Sequence, residues 1–249
     1  MKKYKICKIL LVILAIFLCV TFYELLGICV AYKKQPEVSN TTKKETKNGS
    51  WNECSENTER AVIIEKNPEA LLQRVRLIKN AKKEIILSTF AFQSDESGKL
   101  ILGALHDAAD RGVHIRLLVD GMESWIDMEG NPYFYGLSSH ENVEIKLYNK
   151  ANPLKPWKMM GRMHDKYLIA DGKTYILGGR NTYNYFLGDF PGHKNYDRDV
   201  LVVCDEPEKE NSVNQLLEYF ETIWEQEDSD YFHDNKKLAN RKSVKNAVL

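Results

Sequence analysis

One short stretch of the sequence places a nucleophile, a cation and an amide at fixed spacing. It begins with His164, has Lys166 two positions later and reaches Asp171 after four more residues. The tetrapeptide Gly178-Gly179-Arg180-Asn181 follows. An imidazole can attack phosphorus, and a neighbouring fixed cation stabilises the charge that gathers on the phosphoryl oxygens. The pattern therefore indicates phosphoryl-transfer chemistry.

The residues from His164 to Ala170 are predicted to form a β-strand. Side chains alternate between the two faces of a strand, so His164 and Lys166 are expected to project together. Tyr167 and Ile169 are expected to pack on the other face. One imidazole and one ammonium group would then share a surface.

The turn after this strand is predicted to supply the rest of a phosphate site. The amide of Asn181 can donate a hydrogen bond to a phosphate that Lys166 also binds. Gly178 and Gly179 let the backbone approach closely because they carry no Cβ. The predicted phosphate-binding residues are therefore Lys166, Gly179 and Asn181.

Asp171 completes the motif and is counted with the candidate catalytic residues. It lies seven positions after His164, so on a continued strand its side chain would point to the opposite face. This parity favours a role in fixing the turn with Gly172 over holding the imidazole.

The spacing from His164 to the Gly-Gly-x-Asn turn resembles the signature of the phospholipase D superfamily, and closely the first-half motif of cardiolipin synthase-like enzymes. The resemblance covers about residues 61–226. It implies a phosphodiesterase that needs no metal or cofactor and acts through a covalent phosphohistidine on His164. Its expected substrate is a phospholipid, by hydrolysis or transphosphatidylation.

The same family keeps an acid that orients the histidine, at the start of the strand after the Gly-x-Asn loop. Asp197 matches that position best, ahead of Asp199. A carboxylate that accepts from one ring nitrogen leaves the other nitrogen free to attack. The resemblance therefore gives His164, Lys166, Asp171 and Asp197 as candidate catalytic residues.

Only one copy of the motif is present, because His164 alone among the six histidines has lysine two positions later. Sites of this superfamily use two motifs, with one histidine attacking and the other protonating the leaving oxygen. The second is expected from another copy of the chain in a homodimer, or from a missing half of a longer protein. Without either, a catalytically inactive binding domain is the alternative.

The charge balance of the sequence and its apolar N-terminal segment indicate which substrate is expected. Thirty-five basic and 35 acidic side chains cancel, so the overall charge gives no sign of a polyanionic partner. The apolar N-terminal segment favours a membrane and a phospholipid substrate. A metal-independent endonuclease of the same superfamily, with nucleic acid as its substrate, is the alternative.

Five segments are predicted along the chain. They are a basic N-terminal region (1–8), a transmembrane anchor (9–32), a polar linker (33–58), the phospholipase D-like domain (59–230) and a polar basic tail or truncated linker (231–249). The anchor is long enough to cross a bilayer once. Lysines before it favour a cytoplasmic N-terminus, so the domain is expected outside the cytoplasm at the cell membrane. Cleavage as a signal peptide is the alternative.

The domain itself is predicted to be an α/β sandwich with a central mixed β-sheet flanked by helices, because strand and helix patterns alternate. Predicted strands cover 84–92, 114–119, 143–148, 164–170, 174–177 and 199–204, and predicted helices cover 68–79, 97–110 and 211–226. Cys54 and Cys204 could form a disulfide in an exported domain, or remain free thiols.

Overall fold

The computed structural model describes residues 2–33, 40, 43–44, 59–152, 154–207, 211–233 and 242–248, which form two compact units. The first contains helix α1 (Lys2–Lys33) and a short 3₁₀ helix (Pro156–Met160). Within α1, Tyr4–Val30 has a mean hydropathy of 2.7 and is long and apolar enough to cross a membrane. Most of the predicted linker 33–58 lies outside the described residues.

The second unit contains an eight-stranded mixed β-sheet. Its strands are β1 (Glu59–Ile64), β2 (Glu84–Thr89), β3 (His114–Asp120), β4 (Val143–Tyr148), β5 (Lys166–Ala170), β6 (Thr174–Gly178), β7 (Asp199–Cys204) and β8 (Ser229–Tyr231). They lie in the order β1-β7-β6-β5-β2-β3-β4-β8. Strands β2, β3 and β4 run parallel, and every other neighbouring pair is antiparallel. The predicted α/β class with a mixed sheet is confirmed.

Among the described residues of this unit, six helices accompany the sheet: α2 (Asn67–Asn80), α3 (Glu96–Asp110), α4 (Gly121–Asp127), α5 (Pro132–Ser138), α6 (Ser212–Trp224) and α7 (Lys242–Val248). Side-chain caps define where several of these helices begin. Asp95 accepts from the backbone N–H of Gly98 at α3, and Asn211 accepts from that of Asn214 at α6. Each cap satisfies a backbone donor that the first helical turn leaves unpaired.

The sheet separates two apolar layers. Ile85 and Leu87 of β2 belong to the layer that α2 and α3 complete. Ile86 belongs to the layer on the other face, with Phe220 and Trp224 of α6. The expected alternation of β5 is also present, because Tyr167 and Ile169 face α6 whereas Leu168 and Ala170 face α2 and α3.

Several strands begin or end along the same side of the sheet, a side formed by strand ends and not by an outer strand. Thr89, the last residue of β2, pairs with Lys166, the first of β5. Gly178, the last residue of β6, pairs with Asp199, the first of β7, which also pairs with Ile64 at the end of β1. We call this the site edge, because it gathers the loops that carry most of the motif.

The folded domain continues past residue 230, where its end was expected. That boundary falls inside β8, Phe232 is buried, and Val244 of α7 is buried where α7 packs on α5. An isolated strand of three residues and a single buried valine give no periodic pattern, which is why the segment 231–249 reads as a polar tail. Cys204 is a buried free thiol, and Cys54 lies outside the described residues.

Candidate active site

His164 lies in the extended segment immediately before β5. Its side chain is exposed, and its imidazole packs against the ring of Phe90 with 4.6 Å between ring centroids and 61° between planes. Phe90 follows directly after β2, so two neighbouring strands of the site edge hold the two rings together. The strand predicted from His164 begins two residues later, at Lys166.

Lys166 is a buried cation beside this histidine. Its side chain is only 5% exposed, its Nζ donates to the carbonyl oxygen of His164 at 2.8 Å, and it lies 5.2 Å from the centroid of Phe90. Burial lowers the pKa of Lys166 below the usual 10.5, and the charges of Asp165 and Asp197 oppose that effect. An ammonium group has three N–H donors, so two remain for a phosphate.

Asn181 is held at the site edge by the chain on either side of it. Thr182 donates its backbone N–H to the Ala91 carbonyl and accepts from the N–H of Gln93, at 3.0 and 3.2 Å. The Ala91 N–H also donates to Oδ1 of Asn181 at 3.3 Å. Because an N–H can only donate, the amide nitrogen of Asn181 must point elsewhere and can serve as a donor.

Asp197 reaches the same region from the segment before β7. Its Oδ2 packs so closely against Gly179 that a Cβ at that position would displace the carboxylate. The guanidinium of Arg180 donates to the backbone carbonyl of Asp197, and also to those of Ile64 and Glu65 at 3.2 and 2.6 Å. A buried arginine within the Gly-Gly-Arg-Asn turn therefore fixes the backbone that carries Asp197.

Asp199, the second choice for the orienting acid, has another set of partners. It is fully buried in β7 and forms ion pairs with Arg74 of α2 at 2.8 Å and with Arg180 at 3.1 Å. Through these two ion pairs Asp199 connects β7 to α2 and to the Gly-Gly-Arg-Asn turn. The charges of Asp165 and Asp197 both act on Lys166, and the ranking of Asp197 above Asp199 as the orienting acid stays a prediction.

Asp171 lies at the opposite edge of the sheet from His164. Its carboxylate accepts from the backbone N–H groups of Lys82, Lys83 and Glu84, over distances of 2.7–3.1 Å. Its φ of 55° lies in the left-handed region, which aspartate tolerates better than most residues. The structure therefore separates Asp171 from the other candidates and places it in the turn, because β5 runs the length of the sheet between them.

Three residues at the site edge were not anticipated from the sequence. Phe90 contacts both His164 and Lys166, Arg162 lies over the same aromatic ring, and the buried Asp120 binds Arg162. One signal was available for Arg162, since it shares the strand parity of His164 and Lys166. No local pattern marks Phe90 or Asp120, which come from other strands.

An open pocket of about 670 Å³ adjoins Asp197. It is lined by Glu65, Lys66, Asn67, Pro68, Asp189, Tyr196, Asp197 and Arg198. Acidic and basic side chains are mixed in it, so it has no single charge preference. Within the part of the chain that the structure describes, no group of three or more His, Cys, Asp or Glu side chains is arranged to hold a metal ion.

Comparisons with known proteins identify the family that the sequence matches. A family model described as "Cardiolipin synthase, PLD-like domain" matches residues 74–224. Cardiolipin synthase C of Escherichia coli K12 is 29% identical over 171 residues, which cover 63% of this chain and 34% of that protein. The chain spans about a third or less of the length of the curated relatives it matches.

Solved structures share the fold at low sequence identity. Phosphatidylserine synthase of Haemophilus influenzae Rd KW20 has a TM-score of 0.59 at 18% identity, over 84% of this chain and 46% of that one. NucT from Helicobacter pylori has a TM-score of 0.53 at 17% identity, over 70% of this chain and 99% of that one.

Proposed function

Since the chain belongs to the cardiolipin synthase and phospholipase D-like domain family, we propose that it is a phospholipase D-type phosphodiesterase that acts on phospholipids through a phosphohistidine on His164. The observation that carries the proposal is the meeting of His164, Lys166, Asn181 and Asp197 at one edge of the sheet. They come from three parts of the chain: the start of β5 with the segment before it, the turn after β6 and the segment before β7.

Each residue has a chemical role in the proposed reaction. One nitrogen of the His164 imidazole attacks phosphorus, and the phosphorus–oxygen bond to the leaving alcohol breaks. Lys166 and the Asn181 amide donate hydrogen bonds to the phosphoryl oxygens, whose negative charge increases as the nucleophile approaches. Asp197 accepts from the other ring nitrogen and sets the tautomer. Water or a second alcohol then releases the phosphoryl group from His164.

A second proton-transfer group is needed for the leaving oxygen. We propose that a second copy of the chain, or another half of a longer protein, supplies it as a second motif. The exposure of His164 supports this proposal, because an exposed imidazole at the site edge is open to another protein surface.

A phospholipid is the favoured substrate because the same chain carries the apolar helix α1. The window Tyr4–Val30 would tether the domain to a membrane if α1 inserts. The similarity to cardiolipin synthase C points the same way. Nucleic acid is the competing substrate, and the balanced charge of the chain gives it no support.

The test uses the full chain reconstituted in lipid nanodiscs. Fluorescent phosphatidylglycerol and phosphatidylcholine are offered in parallel with single-stranded DNA, with chelator present throughout. We expect release of the lipid headgroup, or its transfer to an alcohol, by the wild-type protein and none by His164→Ala. A phosphorylated peptide containing residue 164, trapped by acid-free quenching, would identify the intermediate.

His193→Ala is the matched control, since His193 is an exposed loop histidine that packs against Tyr185. Its activity is expected to equal that of the wild type. Cleavage of DNA but not lipid would replace the phospholipase proposal with the nuclease alternative. Equal activity of wild type and His164→Ala would refute the proposed nucleophile.

A further inference from the structure

Asp120, the last residue of β3, is a buried carboxylate close to the candidate nucleophile. It is 1% exposed, and both of its oxygens bind the guanidinium of Arg162 over distances of 2.7–3.0 Å. Oδ2 also accepts from the backbone N–H of Met163 at 3.1 Å. Asp120 therefore binds the two residues that immediately precede His164.

The same carboxylate is fixed from its other side by α4. Oδ1 of Asp120 accepts from the backbone N–H groups of Met122 and Glu123 at 3.0 and 3.2 Å, which caps that helix. Hydrogen bonds to a charged acceptor are the stronger kind, and a buried carboxylate with this many donors has little freedom to move. The segment before His164 is thus bound to a rigid point of the sheet.

Arg162 extends this connection to the aromatic ring that contacts the nucleophile. Its guanidinium carbon lies 5.0 Å from the centroid of Phe90, while Nζ of Lys166 lies 5.2 Å from the same centroid. The imidazole of His164 packs edge-on against that ring. Both cations favour the negative face of the ring, so each helps to fix its orientation.

We propose that Asp120, Arg162 and Phe90 are positioning residues that set the direction of the His164 imidazole. Asp120 fixes the backbone on one side of His164, and Phe90, held by Arg162, limits rotation of the ring itself. An exposed histidine would otherwise sample several rotamers, and only one of them can point a ring nitrogen at phosphorus. This inference rests on the proposed role of His164 as nucleophile.

The first measurement is made on the ring signals of His164, by proton–carbon NMR of the full chain with labelled histidine in nanodiscs. The signals of His164 are those that disappear in His164→Gln. The ring current of Phe90 shifts these signals. Phe90→Leu removes the ring, so the difference between this variant and the wild type gives the size of the ring-current shift. Asp120→Asn and Arg162→Lys keep both aromatic rings in the protein, so a moved His164 signal in either variant reports a changed arrangement of the two rings.

The second measurement is steady-state kinetics of the same variants on the lipid substrate. We expect Asp120→Asn and Phe90→Leu to lower kcat by about tenfold or more while KM changes by less than about twofold, because misdirected nucleophiles lose rate and not substrate affinity. Phe90→Tyr should retain kcat. Glu59→Gln is the control, because its carboxylate also binds a helix start, at Ser212, but at the far edge of the sheet.

The outcomes separate this inference from the proposed function. Moved His164 signals together with a lowered kcat support it. Unmoved signals in Asp120→Asn and Arg162→Lys overturn it, and so does an unchanged kcat in variants whose signals move. If the wild type cleaves no lipid, the proposed substrate fails, and the NMR shifts alone decide whether these residues position the imidazole.

Discussion

The carboxylate of Asp197 occupies the space that a side chain at Gly179 would need. A Cβ built on Gly179 would lie 2.0 Å from Oδ2 of Asp197 and 2.6 Å from its Cγ. Such distances are far below ordinary contact, so a side chain at position 179 would displace the Asp197 carboxylate from this position. Gly179 therefore leaves room for the Asp197 carboxylate, a steric role that the phosphate-binding prediction did not include.

Replacing Gly179 by alanine is expected to displace the Asp197 carboxylate and to lower activity. If Asp197 orients His164, kcat should fall by about tenfold or more, since small displacements at a reacting group are costly. The measurement is lipid cleavage by the full chain in nanodiscs, corrected for the folded fraction. An unchanged kcat would show that the carboxylate position fixed by Gly179 is not needed for the reaction.

The matched control is Gly103→Ala in the middle of α3. A Cβ on Gly103 meets nothing within 4 Å. Alanine is the better helix former, so this variant should gain about 0.5–1 kcal/mol of stability and keep its activity. A gain in thermal stability for Gly103→Ala beside a loss of activity for Gly179→Ala would show that the effect at position 179 is local.

Asp199→Asn is expected to destabilise the domain strongly. The substitution removes the negative charge between Arg74 and Arg180, whose side chains are 5% and 0% exposed. Breaking a buried ion pair costs roughly 3–5 kcal/mol, because the partner charge stays buried without compensation. Urea unfolding of the full chain in detergent measures the loss.

An exposed ion pair offers the comparison for Asp199→Asn. Arg60 and Asp205 lie 2.7 Å apart with side chains 73% and 51% exposed. Solvent screens the charges of such exposed pairs, so Asp205→Asn should change the free energy of unfolding little. Equal losses from the two variants would mean that burial of Asp199 does not govern its contribution.

Asp171→Ala tests whether this motif residue acts in catalysis or in folding. It removes a charged acceptor for three backbone N–H groups at the start of β2, and such bonds contribute about 1.5–3 kcal/mol each. We expect lower stability with unchanged kcat per folded molecule. A tenfold loss of kcat in the folded fraction would return Asp171 to the catalytic residues.

The buried Lys166 predicts an alkaline limit to activity. Only its protonated form stabilises phosphoryl oxygens, and burial lowers its pKa below 10.5. As pH rises through that lowered pKa the ammonium loses its proton, so kcat/KM should fall at a pH below 10.5. Lys166→Arg keeps a charge at these pH values. Its residual activity should therefore lack this alkaline decline, and a decline at the same pH in both proteins would assign it to another group.

The sequence predicted those parts of the molecule that local pattern determines. Strands β4 and β7 have the predicted bounds, and α3 begins one residue before its predicted start. The alternation that puts Tyr167 and Leu168 in opposite layers also follows from the pattern of β5. The short helices α4 and α5 were not predicted, because seven residues are too few to establish a helical period.

The contacts that fix the site depend on residues far apart in the chain. Arg74 meets Asp199, and Asp120 meets Arg162, only after the sheet has formed. A single sequence marks such residues as charged but does not say which of them pair. His164 and Lys166 lie two positions apart in one extended segment, so the local sequence pattern brings them together as candidates, whereas it does not mark their supporting residues.

The pairing of β1 with β7 has a consequence for the order in which the domain is assembled. Glu59 pairs with Cys204 and Ile64 with Asp199, so the first strand of the domain closes against nearly the last. A ribosome delivers β1 long before β7, and contacts between distant segments form slowly because the intervening chain loses entropy when they close. Strand β1 must therefore wait until β7 has been synthesised, and Arg180, whose partners lie on β1 and β7, can complete its bonds only then.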